Sequence, residues 1–463
     1  MGRPEVIRGW LPDRLAALAA DHQVPGAVVA VLSGGEIIEA AYGVLSRTTG
    51  VPVTTDSLFQ VGSITKIWTT SLIMQLVDEG RLDLDAPVRR YLPGFRVADE
   101  PASARITVRH LTCHTAGFEG DIFLDTGRGD DAVGRLVDRL AEVPQVFPPG
   151  ERHSYNNAGF VVLGRVVEVL RDKPYAAALR DHLAGPLGLD HLATDAHEAI
   201  LHRAAVGHVT REQGAAPAPA PVWGLAASNA PAGSLLSMSA ADLLRFARLH
   251  LDQGKTPDGT RLLSATSVAE MQRRQVDLPY PTTVGDAWGT GWALGEWDGA
   301  AVVGHNGGTV GQAAVLRVVP AAGVAVAVLT NGGELLPLYR ALVGEVLREL
   351  AGIRMPPPPE PPAEPRPVDP HPYTGGYQNR VVRYDVGADG PGRLWLSTTR
   401  RGAFAELGAP VERFDIVRLA GDTFISVEPQ YGEHVTLAFA DPDPAGRCRL
   451  LYLSRAVPRT GDA

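Results

Sequence analysis

The sequence Ser57-Leu58-Phe59-Gln60-Val61-Gly62 leads into Ser63-Ile64-Thr65-Lys66 and then into a long apolar segment, residues 67–79. The approach is rich in strand-forming residues and ends in glycine. Gly80 stands where a helix C-cap is expected. We therefore predict a turn that opens a long buried helix, with Ser63 in its first turn. Residues three apart lie on one helix face, so Lys66 is expected to reach the Ser63 hydroxyl.

This pair has the chemistry of an activated nucleophile. A serine hydroxyl needs an adjacent base, and a buried lysine can serve because burial disfavours its charged form. The helix N-terminus also offers N–H groups to an oxyanion. The chain has 43 Lys and Arg residues, yet its lysines are only Lys66, Lys173 and Lys255. Arginine cannot act as a base, so a lysine here indicates that its titration matters. Taken alone, Ser-x-x-Lys is more often a chance tetrad at the start of a capped helix than a catalytic motif.

Composition narrows the class of protein. The 463 residues are enough for two or three domains, and 45% hydrophobic with 21% charged residues is typical of a globular protein. A net charge of −9 argues against a nucleic-acid or polybasic membrane partner. Cys113 and Cys448 indicate no disulfide framework, and no metal-ligand spacing stands out. With no export signal and no apolar run that spans a bilayer, we expect a cytoplasmic protein without metal or cofactor.

The order of elements predicts one sheet built from both ends of a domain. An amphipathic helix over 5–20 precedes a hairpin of strands 27–32 and 36–42. Helices are predicted over 131–142, 158–171 and 264–274. Strands follow over 301–308, 313–319 and 324–330, with a helix over 335–351. Early strands, a helical middle and late strands favour an α/β (α+β) domain, residues 1–354, with an antiparallel sheet and a helical subdomain.

A second, smaller domain follows a proline-dense segment. Residues 355–372 are typical of a semi-rigid linker. Beyond them, residues 373–463 contain six to eight short β-rich runs separated by turn residues. This pattern predicts a small antiparallel barrel.

Two further segments supply candidate site residues. Tyr155 and Asn157 follow Pro149-Gly150 on a predicted rigid loop, and His305 precedes Asn306-Gly307-Gly308, where small residues let a ligand approach the backbone. Acyl transfer needs a nucleophile, a base, a proton shuttle and N–H donors. Singly, each residue has a plainer explanation: Asn157 as a helix cap, His305 as one of 13 histidines, the glycines as a turn. Together and in this order they are hard to attribute to chance.

Residues 24–351 resemble the serine β-lactamase and penicillin-binding-protein superfamily, in the branch with class C β-lactamases, D-aminopeptidases and esterases. Its three motifs are Ser63-Ile64-Thr65-Lys66, Tyr155-Asn156-Asn157 and His305-Asn306-Gly307. Three flanking stretches are also family-like: 111–117, 159–164 and 232–237.

The resemblance implies a role for each residue. Ser63 would form the acyl-enzyme, with Lys66 and Tyr155 sharing the general acid and base work. Asn157, with Asn306 and Gly307, would bind substrate, and the N–H groups of Ser63 and Gly308 would form the oxyanion hole. His305 stands where β-lactamases have lysine. It would keep a hydrogen-bonding group there that can carry a positive charge, but it argues against antibiotic hydrolysis as the main activity.

With its linker and barrel, the whole chain resembles the penicillin-binding-protein-type thioesterases of nonribosomal peptide assembly, which carry a lipocalin-like domain. The resemblance implies release of a peptidyl thioester, delivered by a peptidyl carrier protein, through head-to-tail macrolactamisation with a D-residue at the acylating end. We expect the barrel to cover the site. Its arginines, such as Arg447 and Arg449, could contact substrate there, but both are more typical of a solvated surface. Two alternatives stay open: a D-stereospecific aminopeptidase, esterase or β-lactamase-like hydrolase, and a catalytically inactive ligand sensor. The oligomeric state is left open.

Overall fold

A computed structural model describes residues 3–210, 215–283, 285–390, 392–402, 411–430 and 432–461. Its α-helices are α1 (Arg3–Asp21), α2 (Thr65–Asp78), α3 (Glu100–Arg105), α4 (Val108–Thr112), α5 (Ala132–Asp138), α6 (Asn157–Arg171), α7 (Tyr175–Leu179), α8 (Ala196–Ala199), α9 (Ala240–Leu251), α10 (Ala265–Met271) and α11 (Leu335–Ala351).

The first thirteen strands are β1 (Gly26–Ser33), β2 (Glu36–Gly43), β3 (Phe59–Gln60), β4 (Leu192–Ala193), β5 (His208–Val209), β6 (Ala218–Pro219), β7 (Ser237–Met238), β8 (Val276–Asp277), β9 (Ala287–Trp288), β10 (Ala293–Trp297), β11 (Ala300–Gly308), β12 (Ala313–Val319) and β13 (Val324–Thr330). The last eight are β14 (Gly375–Gln378), β15 (Val382–Ala388), β16 (Leu394–Arg400), β17 (Glu412–Ala420), β18 (Thr423–Ser426), β19 (Thr436–Pro442), β20 (Cys448–Tyr452) and β21 (Ala456–Gly461).

The central sheet joins the two ends of the first domain, as the sequence predicts. Its eight strands lie in the order β2-β1-β13-β12-β11-β10-β9-β8. Strand β1 pairs with β13 in antiparallel register from Ala27 opposite Thr330 to Leu32 opposite Ala325. Both strands are apolar and buried on both faces, because helices cover the sheet on each side. Val28 and Ala30 face the helical subdomain, whereas their neighbours on β1 face α1 and α11.

Helix α2 is buried along nearly its whole length. Trp68 and Leu72 have no exposed surface, and Trp68 stacks on Phe246 of α9 with ring centroids 3.8 Å apart. The helix therefore needs no polar face. Gly80 follows it with a φ of +70°, the conformation expected of a helix C′ glycine. The predicted opening of α2 is confirmed, with Ser63 in a short 3₁₀ turn, Gly62–Ile64, that runs directly into the helix.

The C-terminal strands form a closed, all-antiparallel barrel in the order β14 to β21, which confirms the predicted lipocalin-like barrel. Strands β14 and β21 pair with each other to close it. Its core is apolar and includes the buried side chains of Tyr377, Leu396 and Phe424. Residues 352–374, all of which the structure describes, contain no helix or strand and include the proline-rich segment. Among the described helices, none is both long and apolar enough to cross a membrane.

The barrel packs directly on the first domain. Phe147 and Tyr280 lie in one apolar cluster with Leu450, Tyr452 and other barrel residues. Around this cluster, the Arg380 N–H donates to Glu119 at 2.6 Å, and the Tyr280 hydroxyl accepts from the Ser454 N–H at 2.9 Å. The turn between β20 and β21 is thereby held over the first domain.

Candidate active site

The structure brings Ser63 and Lys66 together as their spacing predicts. Lys66 Nζ lies 3.1 Å from Ser63 Oγ and donates to the Ala232 carbonyl at 2.6 Å. It also lies 4.9 Å from the centre of the Tyr155 ring. The Lys66 side chain is fully buried. Burial first, and then the positive charge of Arg455, lower the pKa of the Lys66 ammonium well below its ordinary value, while Asp121 opposes them. A lysine in this environment can take the Ser63 proton.

Close backbone contacts set the geometry around Ser63. Gly62 has a φ of +51°, and a Cβ there would lie 2.5 Å from the Gly308 nitrogen. A Cβ on Gly307 would lie 1.9 Å from the Val61 carbonyl oxygen. Strand β11 therefore runs against the nucleophile turn, at a distance that only glycines permit. The backbones of Ser63 and Gly308, the predicted oxyanion donors, line the same cavity.

Tyr155 lies beside the nucleophile, on the loop before α6. Its backbone N–H donates to the Ser454 carbonyl of the barrel at 3.2 Å. Its hydroxyl faces Ser63 but makes no hydrogen bond of good geometry with any described residue. Burial raises the pKa of the Tyr155 phenol above its ordinary value, so the hydroxyl is protonated at neutral pH. It is suited to pass a proton between the serine and a leaving group.

The cap of α6 is Asn156, not Asn157. The Asn156 side chain accepts from the Gly159 N–H at 2.7 Å and donates to the Phe118 carbonyl at 2.9 Å. The suggestion that Asn157 starts the helix as a cap is therefore wrong. Because its neighbour fills the capping role, Asn157 turns its amide into the site and donates to Asp121 at 2.7 Å.

An ion pair between the two domains completes the site, and neither partner was identified from the sequence. Arg455 Nε donates to Asp121 Oδ2 at 2.8 Å, and its guanidinium lies 4.8 Å from the centre of the Tyr155 ring. The sequence drew attention instead to Arg447 and Arg449. Arg449 pairs with Asp441 at the surface with 60% of its side chain exposed. No sequence signal marks Arg455, because the β20–β21 turn reaches the site only through domain packing.

His305 and Asn306 point to opposite faces of β11, since successive strand residues alternate. The His305 ring faces Tyr155, with centroids 6.2 Å apart. Burial, followed by the Lys66 charge, lowers the pKa of His305 to about 3, so the ring is neutral at neutral pH and does not carry the positive charge that the resemblance allows at this position. The Asn306 amide accepts from Arg317 at 2.9 Å on the other face. The structure therefore does not bring the Asn306 side chain to Ser63.

His114 supports the Tyr155 loop from below. Its Nδ1 accepts from the Asn156 N–H at 2.9 Å, and its carbonyl accepts from the Ser154 N–H at 2.9 Å. Its ring lies 4.3 Å from the Tyr155 ring. The family-like stretch 111–117 was the signal that could have found this residue.

A cavity of about 210 Å³ opens in front of Ser63. Asn157 and Arg455 line it on the polar side, and Phe123, Leu225 and Val310 form an apolar wall. In the described part of the chain, no three His, Cys, Asp or Glu side chains meet as metal ligands. The site thus holds a serine nucleophile, a buried lysine, a protonated tyrosine and one cation from the barrel.

This fold and this site define an active-site serine enzyme of the β-lactamase and penicillin-binding-protein type, which works through an acyl-enzyme. The family model named Beta-lactamase matches residues 11–346. The chain belongs to this family.

Two known proteins are similar to this chain in sequence. Penicillin-binding protein 4 of Amycolatopsis lactamdurans is 49% identical over 368 residues, which cover 79% of this chain and 96% of that protein. Esterase EstB of Burkholderia gladioli is 37% identical over 187 residues, 36% of this chain and 47% of that one.

Among solved structures, SurE matches the barrel as well as the first domain. It covers 99% of this chain and all of its own, with 30% identity and a TM-score of 0.78. SurE with D-Leu matches with 29% identity and a TM-score of 0.76, over 98% of this chain and all of that one. D-amino acid amidase from Ochrobactrum anthropi, at 23% identity and a TM-score of 0.63 over 76% of this chain and 99% of its own, shares the fold.

Proposed function

We propose that this protein is a standalone thioesterase that takes a peptidyl thioester onto Ser63 and releases it by head-to-tail macrolactamisation. The acylating residue has the D configuration, and a peptidyl carrier protein delivers the substrate in the cytoplasm. The observation that carries the proposal is Arg455, a barrel residue that lines the Ser63 cavity and pairs with Asp121. A hydrolase needs only water at this point, whereas a cyclase needs a wall that excludes water and directs an amine.

The whole-chain likeness to SurE supports the D-residue. SurE has been crystallised with D-Leu, and its match to this chain includes the barrel. The apolar wall formed by Phe123, Leu225 and Val310 suits one aliphatic side chain. We infer that this wall receives the side chain of the acylating residue.

The proposed reaction has two steps, acylation of Ser63 and release of the cyclic peptide. Ser63 Oγ attacks the thioester carbonyl while Lys66 takes the hydroxyl proton, and the thiolate leaves with a proton passed through Tyr155. The peptide's own N-terminal amine then attacks the Ser63 ester. The amine loses one proton to Lys66 and Tyr155, and the Ser63 oxygen regains a proton from them as the amide forms and the ester bond breaks. In both steps the oxyanion lies near the N–H groups of Ser63 and Gly308.

The test offers the purified full-length protein a linear peptide N-acetylcysteamine thioester ending in D-Leu, with the L-Leu isomer beside it. Products are followed by mass spectrometry. We expect the D-isomer to give a product lighter than the substrate by the thiol alone, and the L-isomer to react at least tenfold more slowly. Ser63→Ala is the control and should give neither product nor acyl-enzyme. Free acid as the sole enzymatic product from both isomers would reject the cyclase.

A second candidate is a D-stereospecific hydrolase or esterase. The 49% identity to a penicillin-binding protein favours it, since that relative spans 79% of this chain. In the same experiment this function predicts the free D-ended peptide as the main product. It also predicts that a fluorescent penicillin labels Ser63 at micromolar concentration. An inactive sensor would give neither cyclic nor free product.

A further inference from the structure

Arg317 is a fully buried cation on strand β12, outside the groups assigned so far. All its N–H donors have an acceptor. Its Nε donates to the Tyr339 hydroxyl at 3.0 Å, and one terminal nitrogen donates to the carbonyls of Leu316 and His305 at 2.9 and 3.4 Å. The other donates to Asn306 Oδ1 at 2.9 Å and to the Thr283 carbonyl at 3.2 Å. The guanidinium is therefore held in one orientation.

No described carboxylate pairs with this charge. Its surroundings are neutral: backbone carbonyls, an amide, and the Tyr339 ring, whose centre lies 4.7 Å away. Burying a cation without a counter-ion is unfavourable because the charge loses its hydration, and a protein with an apolar residue of similar volume there is often as stable or more so. Fold stability alone is therefore a poor reason for an arginine at this position.

Gly304 on the neighbouring strand β11 leaves space for the Arg317 side chain. Gly304 of β11 pairs with Arg317 across the sheet. A Cβ on Gly304 would lie 2.9 Å from Arg317 Cδ and 3.1 Å from a terminal nitrogen. A larger residue at position 304 would displace the guanidinium from β11. The position of the Arg317 side chain therefore depends on glycine at position 304.

Three of the acceptors of Arg317, those of His305, Asn306 and Thr283, lie in segments that build the site. His305 and Asn306 precede Gly307 and Gly308, the backbone that packs against Ser63. The Thr283 carbonyl belongs to the segment 279–283. Within that segment the Tyr280 hydroxyl accepts from the Ser454 N–H, and Ser454 in turn contacts Tyr155. One side chain thus connects β11 with the segment that supports the barrel turn.

We propose that Arg317 is a positioning residue for acyl transfer. It fixes the position of β11, and therefore of the Gly308 N–H, relative to the 3₁₀ turn that carries Ser63. It also connects this strand to the segment that contacts the Ser454–Arg455 turn. It touches neither substrate nor reacting atoms. The proposal rests on the acyl-enzyme chemistry of the family and not on macrolactamisation.

The test measures inactivation of the full-length protein by a fluorophosphonate, which reports the reactivity of Ser63 without any assumed substrate. Arg317→Met removes the charge and the hydrogen bonds but keeps an apolar chain of similar length. We expect its maximal inactivation rate to fall at least tenfold while the half-saturating concentration stays within twofold. Its Tm should stay within about 4 °C of the parent or rise. Arg317→Lys keeps the charge without the planar fork and should also be slow.

Arg14→Met is the matched control. Arg14 lies on α1 and pairs with Glu345 of α11, on the same side of the sheet but away from Ser63. The inactivation rate of the Arg14→Met protein should equal that of the parent. A folded Arg317→Met protein with the parental rate would overturn the proposal.

If Arg317→Met fails to fold, Tyr339→Phe removes a single acceptor of Arg317 at a distance from the cavity. We then expect the maximal inactivation rate to fall about threefold with an unchanged half-saturating concentration. A Tyr339→Phe protein that inactivates at the parental rate would overturn the proposal by this second route.

Discussion

At the scale of single residues, the site depends on one lysine whose charge is suppressed. Lys66 has no counter-ion in contact among the described residues; its neighbours are a carbonyl, a hydroxyl and aromatic rings. Burial therefore dominates its titration. The two charged groups that shift its pKa, Arg455 and Asp121, act in opposite senses and form an ion pair with each other.

We predict that Lys66→Arg abolishes acyl transfer although it retains a cation. Arginine stays protonated and cannot take the Ser63 proton. The turnover of a thioester substrate should fall at least a thousandfold, measured by thiol release. Lys173→Arg is the control, because Lys173 pairs with Asp181 at the surface and its replacement should leave turnover unchanged. A Lys66→Arg enzyme within tenfold of the parent would contradict the assignment of Lys66 as the base.

The Arg455–Asp121 pair predicts two opposite shifts in the pH profile. Neutral Lys66 is the active form, so kcat/KM falls as the pH drops through its pKa. Arg455 lowers that pKa, and Arg455→Met should therefore move the acid limb to higher pH. Asp121 raises it, and Asp121→Asn should move the acid limb to lower pH. Shifts in the same direction would show that another group controls the acid limb.

At the scale of elements, the decisive contact lies between the 3₁₀ turn and strand β11. It requires glycines on both sides, because a side chain would occupy the space of the opposite backbone. Gly233 approaches the same turn from a third direction: a Cβ there would lie 2.1 Å from the Gly62 carbonyl oxygen. Three segments distant in sequence thus meet at the nucleophile without intervening side chains.

We predict that Gly62→Ala disrupts this contact, whereas Gly80→Ala does not. Both positions have a positive φ, which costs a non-glycine residue about 1–2 kcal/mol. Only at position 62 would the Cβ also clash with β11, since no atom lies within 4 Å of a Cβ at position 80. Gly62→Ala should lower kcat at least tenfold and lower Tm more than Gly80→Ala does. Equal effects of the two variants would mean that backbone conformation, not packing, explains Gly62.

At the scale of the whole molecule, the barrel contributes Arg455 to the lining of the Ser63 cavity. Its β20–β21 turn supplies Arg455 and the Ser454 carbonyl that accepts from Tyr155, and β21 begins with Ala456, whose N–H donates to Ser154 at 3.0 Å. Ala456 itself belongs to the apolar cluster that joins the domains.

We predict that Ala456→Glu separates the domains and abolishes activity while each domain stays folded. A carboxylate in the apolar cluster would be desolvated without a partner, and opening the interface would relieve that cost. Circular dichroism should be unchanged, and proteolysis within residues 355–372 should accelerate. Val411→Glu, at a barrel position that is 58% exposed, is the control and should behave as the parent. An active Ala456→Glu enzyme would show that the barrel is dispensable.

The local elements and the order of the motifs can be predicted from the amino-acid sequence. The helix over residues 335–351 and the strands 313–319 and 324–330 follow from hydrophobic period and turn residues, which are local properties of the chain. The Ser63–Lys66 contact follows from helix geometry. The boundaries at residues 354 and 372 and the catalytic roles of the site residues stay predictions.

The distant residues that complete the site become apparent when the two domains pack together. Of the two adjacent asparagines, Asn156 caps helix α6, and the side chain of Asn157 donates to Asp121 instead. Burial neutralises His305, and the packing of the barrel delivers Arg455. Desolvation and ion pairing between residues hundreds of positions apart depend on how the domains pack, and no local pattern in the chain encodes that packing.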